Sequence, residues 1–444
     1  AVAYIVQRTE LLLGLFYLLT LYAALRACRS PHGWLWSVTA VIACASGMLS
    51  KESMATAPIL VVCYDRIFLF ATWRQMWRCR WPLHVGLAAC WAPLVAIMLT
   101  GPRNQTIGFD LGVTWWQYGG TQLGMLTHYL GLVFWPAELC FDYGRVMPAG
   151  TWDQAVGAVV VGALLGATLW ALRYHPTFGF AGLFFFFLLA PSSSIVPIVT
   201  EVGAERRMHL PLAAVVVLVL LLVDRLLSYG VQGLGTGHDL RVQRLIRCVG
   251  AGLVIVALTA VTVQRNEVFG NDLTIWADTV VKAPANCSAR NNLGRAYYER
   301  GQLEQAHAQF VAAVQLPGCE AQVYGNLGKV LIEMGRLDDA HRYFEDILRD
   351  RPEFWRAYEG LGIIYLRRQQ WPAAVAAFRR CVNNGYTNAD LYTNLGMALF
   401  ELGEPSMAAS YMRAALRLDP EHTVAAENLD YITGLLGGTQ LQTR

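Results

Sequence analysis

The sequence predicts an all-α protein in two parts, a polytopic transmembrane helix bundle followed by an α-solenoid. The first reason is the uneven distribution of apolar residues. Of the 444 residues 55% are hydrophobic and 15% are charged, yet the apolar runs end near Val263 and the chain turns polar after Arg265. The second is run length, because a membrane-spanning helix needs roughly 20 apolar residues. The third is a 34-residue period in the polar part, which is typical of solenoids.

Eight apolar segments are candidates for membrane spans: 9–25, 34–50, 54–70, 82–100, 153–172, 178–199, 208–223 and 246–264. A further segment, 115–136, is interrupted by polar side chains and is rich in Trp and Tyr, which prefer the membrane interface. Arginines follow the first, third and fifth spans and precede the last. The positive-inside rule makes all these loops cytoplasmic only if 115–136 does not cross. The sequence therefore predicts eight crossings, with the C-terminal part on the non-cytoplasmic side.

These patterns give a domain division. We place a membrane domain at 1–264, a repeat domain at 265–436 and a short tail at 437–444. The first residue is Ala1, already within a helical pattern, and we expect the chain to be an N-terminally truncated piece of a longer protein.

The stretch Leu49-Ser50-Lys51-Glu52-Ser53 places two charges between two apolar runs. It lacks Gly, Pro, Asn and Asp, the usual turn residues. Charges at membrane depth are costly and tend to face a functional cavity. The alternative is a short surface loop whose ion pair contributes little.

Under the predicted topology, charged residues of both signs gather at the outer face. The group consists of Arg8, Glu10, Lys51, Glu52, Arg103, Asp110, Asp142, Arg145, Glu201, Glu205, Arg206 and Arg207. Arginine forks, a lysine point charge and a carboxylate base are what a site for a phosphate-bearing ligand needs. The alternative is that loops outside the membrane simply carry the charges.

Other site types find little support. The ten cysteines form no Cys-x-x-Cys pair and no Cys/His cluster with zinc spacing. Three of them, Cys287, Cys319 and Cys381, lie in the polar part, and because an odd number cannot all pair within one chain, we expect no disulfide framework. The net charge of +3 is small and says nothing about nucleic acid, but no stretch pairs a basic block with interleaved aromatics as a nucleic-acid surface would.

The polar part repeats a helical hairpin four times. Leu-Gly pairs end at Gly294, Gly328, Gly362 and Gly396, an alanine follows each glycine after twelve positions, and Phe or Met comes four positions later. This is the tetratricopeptide pattern, in which small residues let the paired helices approach closely. Residues 271–282 are predicted to form half a repeat, and residues 421–435 a capping helix.

An asparagine precedes the leucine of most repeats. The row consists of Asn292, Asn326, Asn394 and Asn428, and Gly360 interrupts it. First helices line the concave face of such a solenoid, where amides could bind the backbone of an acceptor peptide. The alternative is that Asn-Leu-Gly is simply common in these repeats.

Several short motifs occur in a characteristic order. They are residues 3–10 (AYIVQRTE), Ser50-Lys51-Glu52, Tyr64-Asp65-Arg66, Phe134-Trp135-Pro136, Asp142-Tyr143-Gly144, Ala190-Pro191-Ser192-Ser193 and residues 205–211 (ERRMHLP). With the repeats that follow, this order resembles the transmembrane-and-tetratricopeptide O-mannosyltransferase-like proteins of the GT-C glycosyltransferase superfamily, and their bacterial relatives. His209 stands where that family has tyrosine, and Arg206 where histidine is common.

The resemblance implies a membrane glycosyltransferase that transfers a sugar from a polyprenyl-phosphate donor to an acceptor protein held by the repeats. It implies no resident cofactor, no residue pattern supports a divalent metal, and the catalytic base would lie upstream of Ala1. Arg207, Arg206 and Lys51 would contact the donor phosphate, Glu52 would orient Lys51, and Arg8 and Asp142 would line the site. The rival interpretation is a non-catalytic, membrane-anchored scaffold for protein partners. Both place the chain in a bacterial inner membrane, or in the endoplasmic reticulum of a eukaryote, with the repeats on the non-cytoplasmic side.

Overall fold

The computed structural model of the protein describes residues 5–100, 114–136, 139–144, 151–191, 203, 205–232, 239–316, 319 and 321–442. Every regular element in these ranges is a helix, which confirms the all-α prediction. The chain divides into two compact units, Ala1–Asn286 and Cys287–Arg444. The domain boundary predicted at 264/265 stays a prediction, since the contacts group the intervening residues with the first unit.

The described part of the first unit contains eleven α-helices. In order they are α1 (Ile5–Arg29), α2 (Gly33–Ser50), α3 (Ala57–Tyr64), α4 (Trp73–Ala89), α5 (Trp91–Thr100), α6 (Trp115–Phe134), α7 (Thr151–Tyr174), α8 (Pro176–Leu189), α9 (Pro211–Gln232), α10 (Asp239–Val268) and α11 (Asp272–Lys282). Two 3₁₀ segments, Glu52–Thr56 and Glu205–Met208, and a π-helical turn, Asp65–Leu69, complete it.

The core of this unit forms where α1, α2, α3 and α8 meet. Tyr17 of α1 is fully buried, packs edge-on against Phe184 of α8, and exchanges a 3.1 Å hydrogen bond with Thr56. The bond satisfies the one polar atom of a large buried ring. Tight glycine contacts join α7 to α8, since a Cβ on Gly179 would lie 2.3 Å from the backbone nitrogen of Leu172. Close approach through small residues is common where helices pack in membranes.

Four helical stretches are long and apolar enough, by length and composition, to cross a membrane: Thr9–Arg29, Gly33–Ser50, Trp152–Tyr174 and Cys248–Val268. None of the Cys248–Val268 window is buried within the chain, although the window is apolar. Pro176–Leu189 is apolar but shorter. Half of the predicted spans therefore have a sufficient helix among the described residues, and the eight-span bundle stays a prediction.

Two predicted spans are not single regular α-helices. The span predicted at 54–70 is helical from 52 to 69 but changes from 3₁₀ to α to π geometry. Pro58 lacks the N–H that would bond to Met54, so the regular ladder begins only with α3. The span predicted at 82–100 starts earlier, at Trp73, and is interrupted at Cys90. Pro93 lies in the first turn of α5, where its missing N–H costs nothing.

Within the segment 115–136, residues 115–134 form one 20-residue helix, α6, whose N-terminus carries a capping box between Thr114 and Gln117. Its partner is α7: a Cβ on Gly157 would lie 2.6 Å from the carbonyl carbon of Leu123. The sequence predicted a re-entrant or interfacial segment. The continuous helix excludes a re-entrant hairpin within residues 115–134, and the interfacial placement stays a prediction.

The second unit is the solenoid predicted from the 34-residue period. Four helix pairs are followed by one long helix: α12 (Cys287–Tyr298), α13 (Leu303–Val314), α14 (Ala321–Glu333), α15 (Leu337–Asp350), α16 (Trp355–Arg367), α17 (Trp371–Asn383), α18 (Ala389–Glu401), α19 (Pro405–Leu418) and α20 (Thr423–Gln442). The predicted cap therefore extends into the residues expected to form a tail.

Phenylalanines fill the space beside the repeat glycines. A Cβ on Gly328 would lie 2.0 Å from Cζ of the buried Phe344, and a Cβ on Gly362 would lie 2.4 Å from Phe378. Only glycine admits these rings without a shift of the helices. The close helix approach inferred from the sequence is thereby confirmed.

Candidate functional site

Lys51 and Glu10 form an ion pair between the end of α2 and the first turns of α1. Glu10 is 6% exposed, and the lysine side chain is mostly buried. The sequence suggested that the adjacent Glu52 orients Lys51, but the ion pair that fixes Lys51 comes from α1. The pair joins two charges that the sequence placed in separate segments, and its burial makes each charge depend on the other.

Arg207 is 8% exposed and lies in the 3₁₀ segment before α9. Its neighbours Met208 and Leu210 belong to the core. The ring of His209 is 3.9 Å from the position of a Cβ on Gly14, one helical turn along α1 from Glu10. The structure therefore brings the 207–210 segment beside the α1 residues that carry the Lys51 pair. The side chains of Arg8 and Arg206, and residues Arg103, Asp110, Arg145 and Glu201, lie outside the described positions.

Glu205 accepts two hydrogen bonds from the segment that follows α6. The Tyr143 hydroxyl donates to Oε1 at 2.9 Å, and the backbone N–H of Cys140 donates to the same oxygen. The Tyr143 oxygen is also 3.0 Å from Nε2 of His128. A connected chain of polar groups thus runs from His128 through Tyr143 to Glu205.

Burial raises the pKa of Glu205 above its ordinary value, against the hydrogen bonds from Tyr143 and Cys140 and the charges of Arg265 and Lys282, which lower it. Burial likewise raises the pKa of Tyr143, and the Glu205 carboxylate raises it further. A carboxyl group with a raised pKa keeps its proton to a higher pH than an ordinary one, which is the direction in which general acids are tuned.

Asp142 stabilises a turn. Its Oδ1 accepts from the backbone N–H of Gly144 at 2.8 Å, and its carbonyl accepts from Nδ2 of Asn286 at 2.9 Å. Gly144 has φ +83°, a left-handed conformation that favours glycine. The sequence placed Asp142 as a lining residue of a phosphate site, whereas these contacts give it a structural part beside Tyr143.

Two cations beside this network escaped the sequence analysis. Arg265, at the end of α10, and Lys282, at the end of α11, share the Asp278 carboxylate at 2.7 and 2.8 Å. Lys282 also donates to the carbonyl of Leu139 at 2.7 Å. Burial raises the pKa of Asp278, but the hydrogen bonds from Lys282 and Arg265 outweigh it and lower the pKa overall. The i, i+4 spacing of Asp278 and Lys282 was the available signal.

A cavity of about 500 Å³ opens beside these cations, with apolar walls that include Trp135, Pro136 and Val261. The cavity is lined by two positively charged side chains, Arg265 and Lys282, and by one carboxylate, Asp278. Its lining therefore carries an excess of positive charge. Because Arg265 ends the apolar Cys248–Val268 helix, the cavity lies at one end of a candidate membrane span.

A second buried cluster lies towards the opposite end of α1. Asp65, Arg80 and His84 are each at least nine-tenths buried, and Arg80 donates to Asp65 and, at 2.5 Å, to the carbonyl of Ala24. Nε2 of His84 is 3.2 Å from Oδ2 of Asp65, yet the angles make no hydrogen bond. The resemblance contained Asp65, but its partners are 15 or more residues away and left no local pattern.

The asparagine row has an internal partner. Nδ2 of Asn326 donates to Oδ1 of the buried Asn291 at 2.8 Å, a bond between neighbouring repeats. The side-chain amide of Asn326 therefore bonds within the solenoid itself. Asn292 and Asn394 occupy equivalent positions and are partly exposed, while Asn428 lies on α20. Peptide binding by these residues stays a prediction.

Contrary to the expectation of no disulfide, Cys287 and Cys319 are bonded, with Cα atoms 5.6 Å apart. They lie 32 residues apart, near the starts of successive repeats. An odd number of cysteines excludes complete pairing but allows one pair and a free thiol, here the buried Cys381. No cluster of His, Cys, Asp and Glu that could hold a metal occurs within the described ranges.

Three tetratricopeptide-repeat family models match the chain, at residues 287–316, 326–385 and 389–422. No curated protein matches it. Similar solved structures include YrrB, a TPR protein with an unusual peptide-binding site, at 17% identity, covering 38% of this chain and 86% of that one with a TM-score of 0.28. Others are a thermophilic TPR protein of Thermus thermophilus, at 15% identity, covering 40% and 95% with a TM-score of 0.33, and pilF of Pseudomonas aeruginosa, at 22% identity, covering 34% and 70% with a TM-score of 0.29.

The second unit therefore contains tetratricopeptide repeats, as predicted, and such repeats serve as surfaces for protein or peptide partners. All three family matches lie in this unit. The glycosyltransferase resemblance rests on the short motifs of the first unit alone.

Proposed function

We propose that this protein is a membrane-anchored tetratricopeptide scaffold that binds a protein or peptide partner on the non-cytoplasmic side. The observation that carries the proposal is the run of four repeats, three of whose segments match the family independently. Repeats of this kind bury their cores between neighbours and leave a long surface for a partner. Met397 on α18 is 41% exposed and Tyr431 on α20 is 63% exposed, so apolar side chains are available there.

Two further observations support the anchoring and its side. The Cys248–Val268 helix is apolar with none of its window buried, which suits contact with lipid better than contact with water. The Cys287–Cys319 disulfide suits an oxidising compartment, because cytosolic thiols are kept reduced.

Site-directed photo-crosslinking tests the partner surface. With a benzophenone amino acid in place of Met397 of the full chain, we expect a discrete crosslinked product. The matched control carries the same probe at Leu418, which is exposed on the second helix α19. Substitution of Asn292 and Asn394 by alanine should weaken the Met397 product if the asparagines bind peptide backbone. Equal crosslinking from both positions, or from neither, would contradict a partner surface on the first helices.

A second candidate function is transfer of a sugar from a polyprenyl-phosphate donor, with the repeats presenting the acceptor. One observation favours it. The motif residues Tyr143 and Glu205 are joined in one part-buried network with a raised carboxyl pKa. Lys51, at the end of α2, pairs with Glu10 of α1, and the buried Arg207 lies in the 205–208 segment, whose neighbour His209 is beside α1.

The test of this second candidate is a transfer assay with lipid-linked sugar. Removing one preorganised donor to a departing phosphate typically costs ~3–4 kcal/mol, so Arg207→Ala should lower the rate by about a hundred- to a thousandfold. Lys51→Ala leaves the buried Glu10 unpaired, so the cleaner variant is Lys51→Met combined with Glu10→Gln. The assay uses the full-length protein, because the resemblance puts the catalytic base upstream of Ala1. Full transfer by both variants would remove these residues from the site, and absence of transfer by the unmodified full-length protein would leave the scaffold alone.

A further inference from the structure

A groove of about 860 Å³ opens between the end of α1, the start of α2, the π-helical turn and α4. Its walls are mostly apolar and include Trp34, Val38, Ile42, Phe70 and Leu83. Trp34 is 67% exposed and Ile42 is 61% exposed, so this side of the groove is open to the surroundings.

Arg80 is the charged side chain among the lining residues. Its guanidinium group donates one hydrogen bond to Asp65 and one to the carbonyl of Ala24, and these bonds fix its position. They use two of its five N–H donors. Arg29, Asp65 and Arg80 all lie within electrostatic reach of the lining residue Cys28. The cationic end of the groove is therefore built around a buried, oriented arginine.

The surrounding sequence is strongly basic. Residues 26–32 and 65–84 contain six arginines and one aspartate, a formal net charge of +5 with histidine neutral. Arg29, Arg74 and Arg78 are exposed. Exposed tryptophans accompany them, among them Trp73 and Trp81. Tryptophan with arginine is the composition of a membrane interface, and basic pockets between helices on the cytoplasmic side attract anionic lipid headgroups.

We propose that this groove binds one anionic phospholipid. An acyl chain lies along Trp34, Val38 and Phe70. The headgroup phosphate is held by the guanidinium groups of Arg80, which lines the groove, of Arg29, which is close to the lining residue Cys28, and of Arg66, which donates to the carbonyl of the lining residue Phe70. The open apolar wall fits a chain, and the charge excess fits a phosphate. The inference rests on the membrane anchoring proposed above, but it needs neither the partner surface nor the transfer reaction.

The experiment is a lipid titration of the detergent-solubilised full chain, followed by native mass spectrometry. We expect phosphatidylglycerol to be retained at one tight site and phosphatidylcholine of the same chain length to be retained more weakly. A basic side chain near a phosphate contributes about fivefold to affinity, so the double variant Arg29→Gln, Arg66→Gln should weaken phosphatidylglycerol binding by about 25-fold. The matched control is Arg173→Gln, because Arg173 is exposed beyond the groove.

A second variant tests the chain-binding wall. Val38 lines the groove and is 48% exposed, so Val38→Trp fills the groove while keeping every arginine. It should reduce retention of both lipids. Inorganic phosphate, added to separate a free anion from a lipid headgroup, should not compete at millimolar concentration.

Equal retention of the two lipids, or unchanged binding in the double arginine variant, overturns charge recognition. Full binding by Val38→Trp, or competition by inorganic phosphate alone, overturns the lipid assignment. The anchoring itself fails separately, if the full chain is recovered outside the membrane fraction of cells.

Discussion

At Glu205, burial raises the pKa of the carboxyl group and hydrogen bonding lowers it, and the effect of burial is the larger. A carboxyl group with a raised folded-state pKa binds its proton more tightly in the folded chain than in the unfolded chain. The free energy of unfolding therefore falls as the pH rises from the ordinary pKa of about 4.5 through the folded-state pKa, and this group changes it no further at higher pH.

The first prediction concerns this pH window. Glu205→Gln keeps an oxygen that can accept from Tyr143 and Cys140 but removes the titration, so the loss of stability between pH 4.5 and the folded-state pKa should be smaller than in the parent. Thermal unfolding of the full chain in detergent at a series of pH values measures it. Glu353→Gln, at an exposed loop position, is the control. A parallel pH profile in Glu205→Gln would show that the carboxyl pKa is not raised.

Gln369 adopts φ +58° at the position where other repeats have Gly301, Gly335 and Gly403, all with positive φ. A non-glycine residue in this region costs roughly 1–2 kcal/mol. Gln369→Gly should therefore raise the free energy of unfolding of the repeats by about 1 kcal/mol, and Gly335→Ala should lower it by a similar amount. Urea unfolding measures both. If Gln369→Gly instead lowers the free energy of unfolding, the glutamine side chain stabilises the repeats by more than its strained backbone destabilises them.

Among the elements, the repeat helices were the most predictable. Their period fixes which residues face the paired helix, so the glycine and phenylalanine positions located the helices and their contacts. The irregular 52–69 segment was less predictable. Its hydropathy shows that the segment is apolar, but it does not show that Pro58 interrupts the helical hydrogen bonds. The disulfide could have been predicted, since cysteines 32 residues apart lie close to one repeat period.

The disulfide gives an element-scale prediction. The full chain has ten cysteines, two of them paired, so its unfolded form without reductant should expose eight thiols, and ten after reduction. Closing a 32-residue loop should contribute about 3–4 kcal/mol to the stability of the repeats. Thiol titration in denaturant gives the count, and the stability loss of Cys319→Ser gives the energy. Ten thiols without reductant would show that the bond does not form.

For the whole molecule, the sequence predicted the helical fold of both parts and the repeats of the second better than the arrangement of charges. Local patterns encode helices, but the partners Lys51 and Glu10 are 41 residues apart, and Tyr143 and Glu205 are 62 apart. Such pairings depend on the fold as a whole. The pairing of Arg265 with Asp278 was missed for the same reason, since it forms only when α10 and α11 meet, whereas Lys282 is four residues from Asp278 on α11.

The central claim is that the repeats are anchored to a membrane and lie on its non-cytoplasmic side. The most direct measurement is sided cysteine labelling in sealed vesicles of known orientation, after replacing the exposed free cysteines Cys28, Cys79 and Cys248 by serine. Gln305→Cys marks the exposed surface of the first repeat and avoids Gly301, whose φ of +71° disfavours a side chain. His32→Cys marks the exposed turn between α1 and α2. An impermeant maleimide should label Gln305→Cys from the non-cytoplasmic side and His32→Cys from the cytoplasmic side. Labelling of both from the cytoplasmic side, or of either in the soluble fraction, would contradict the account.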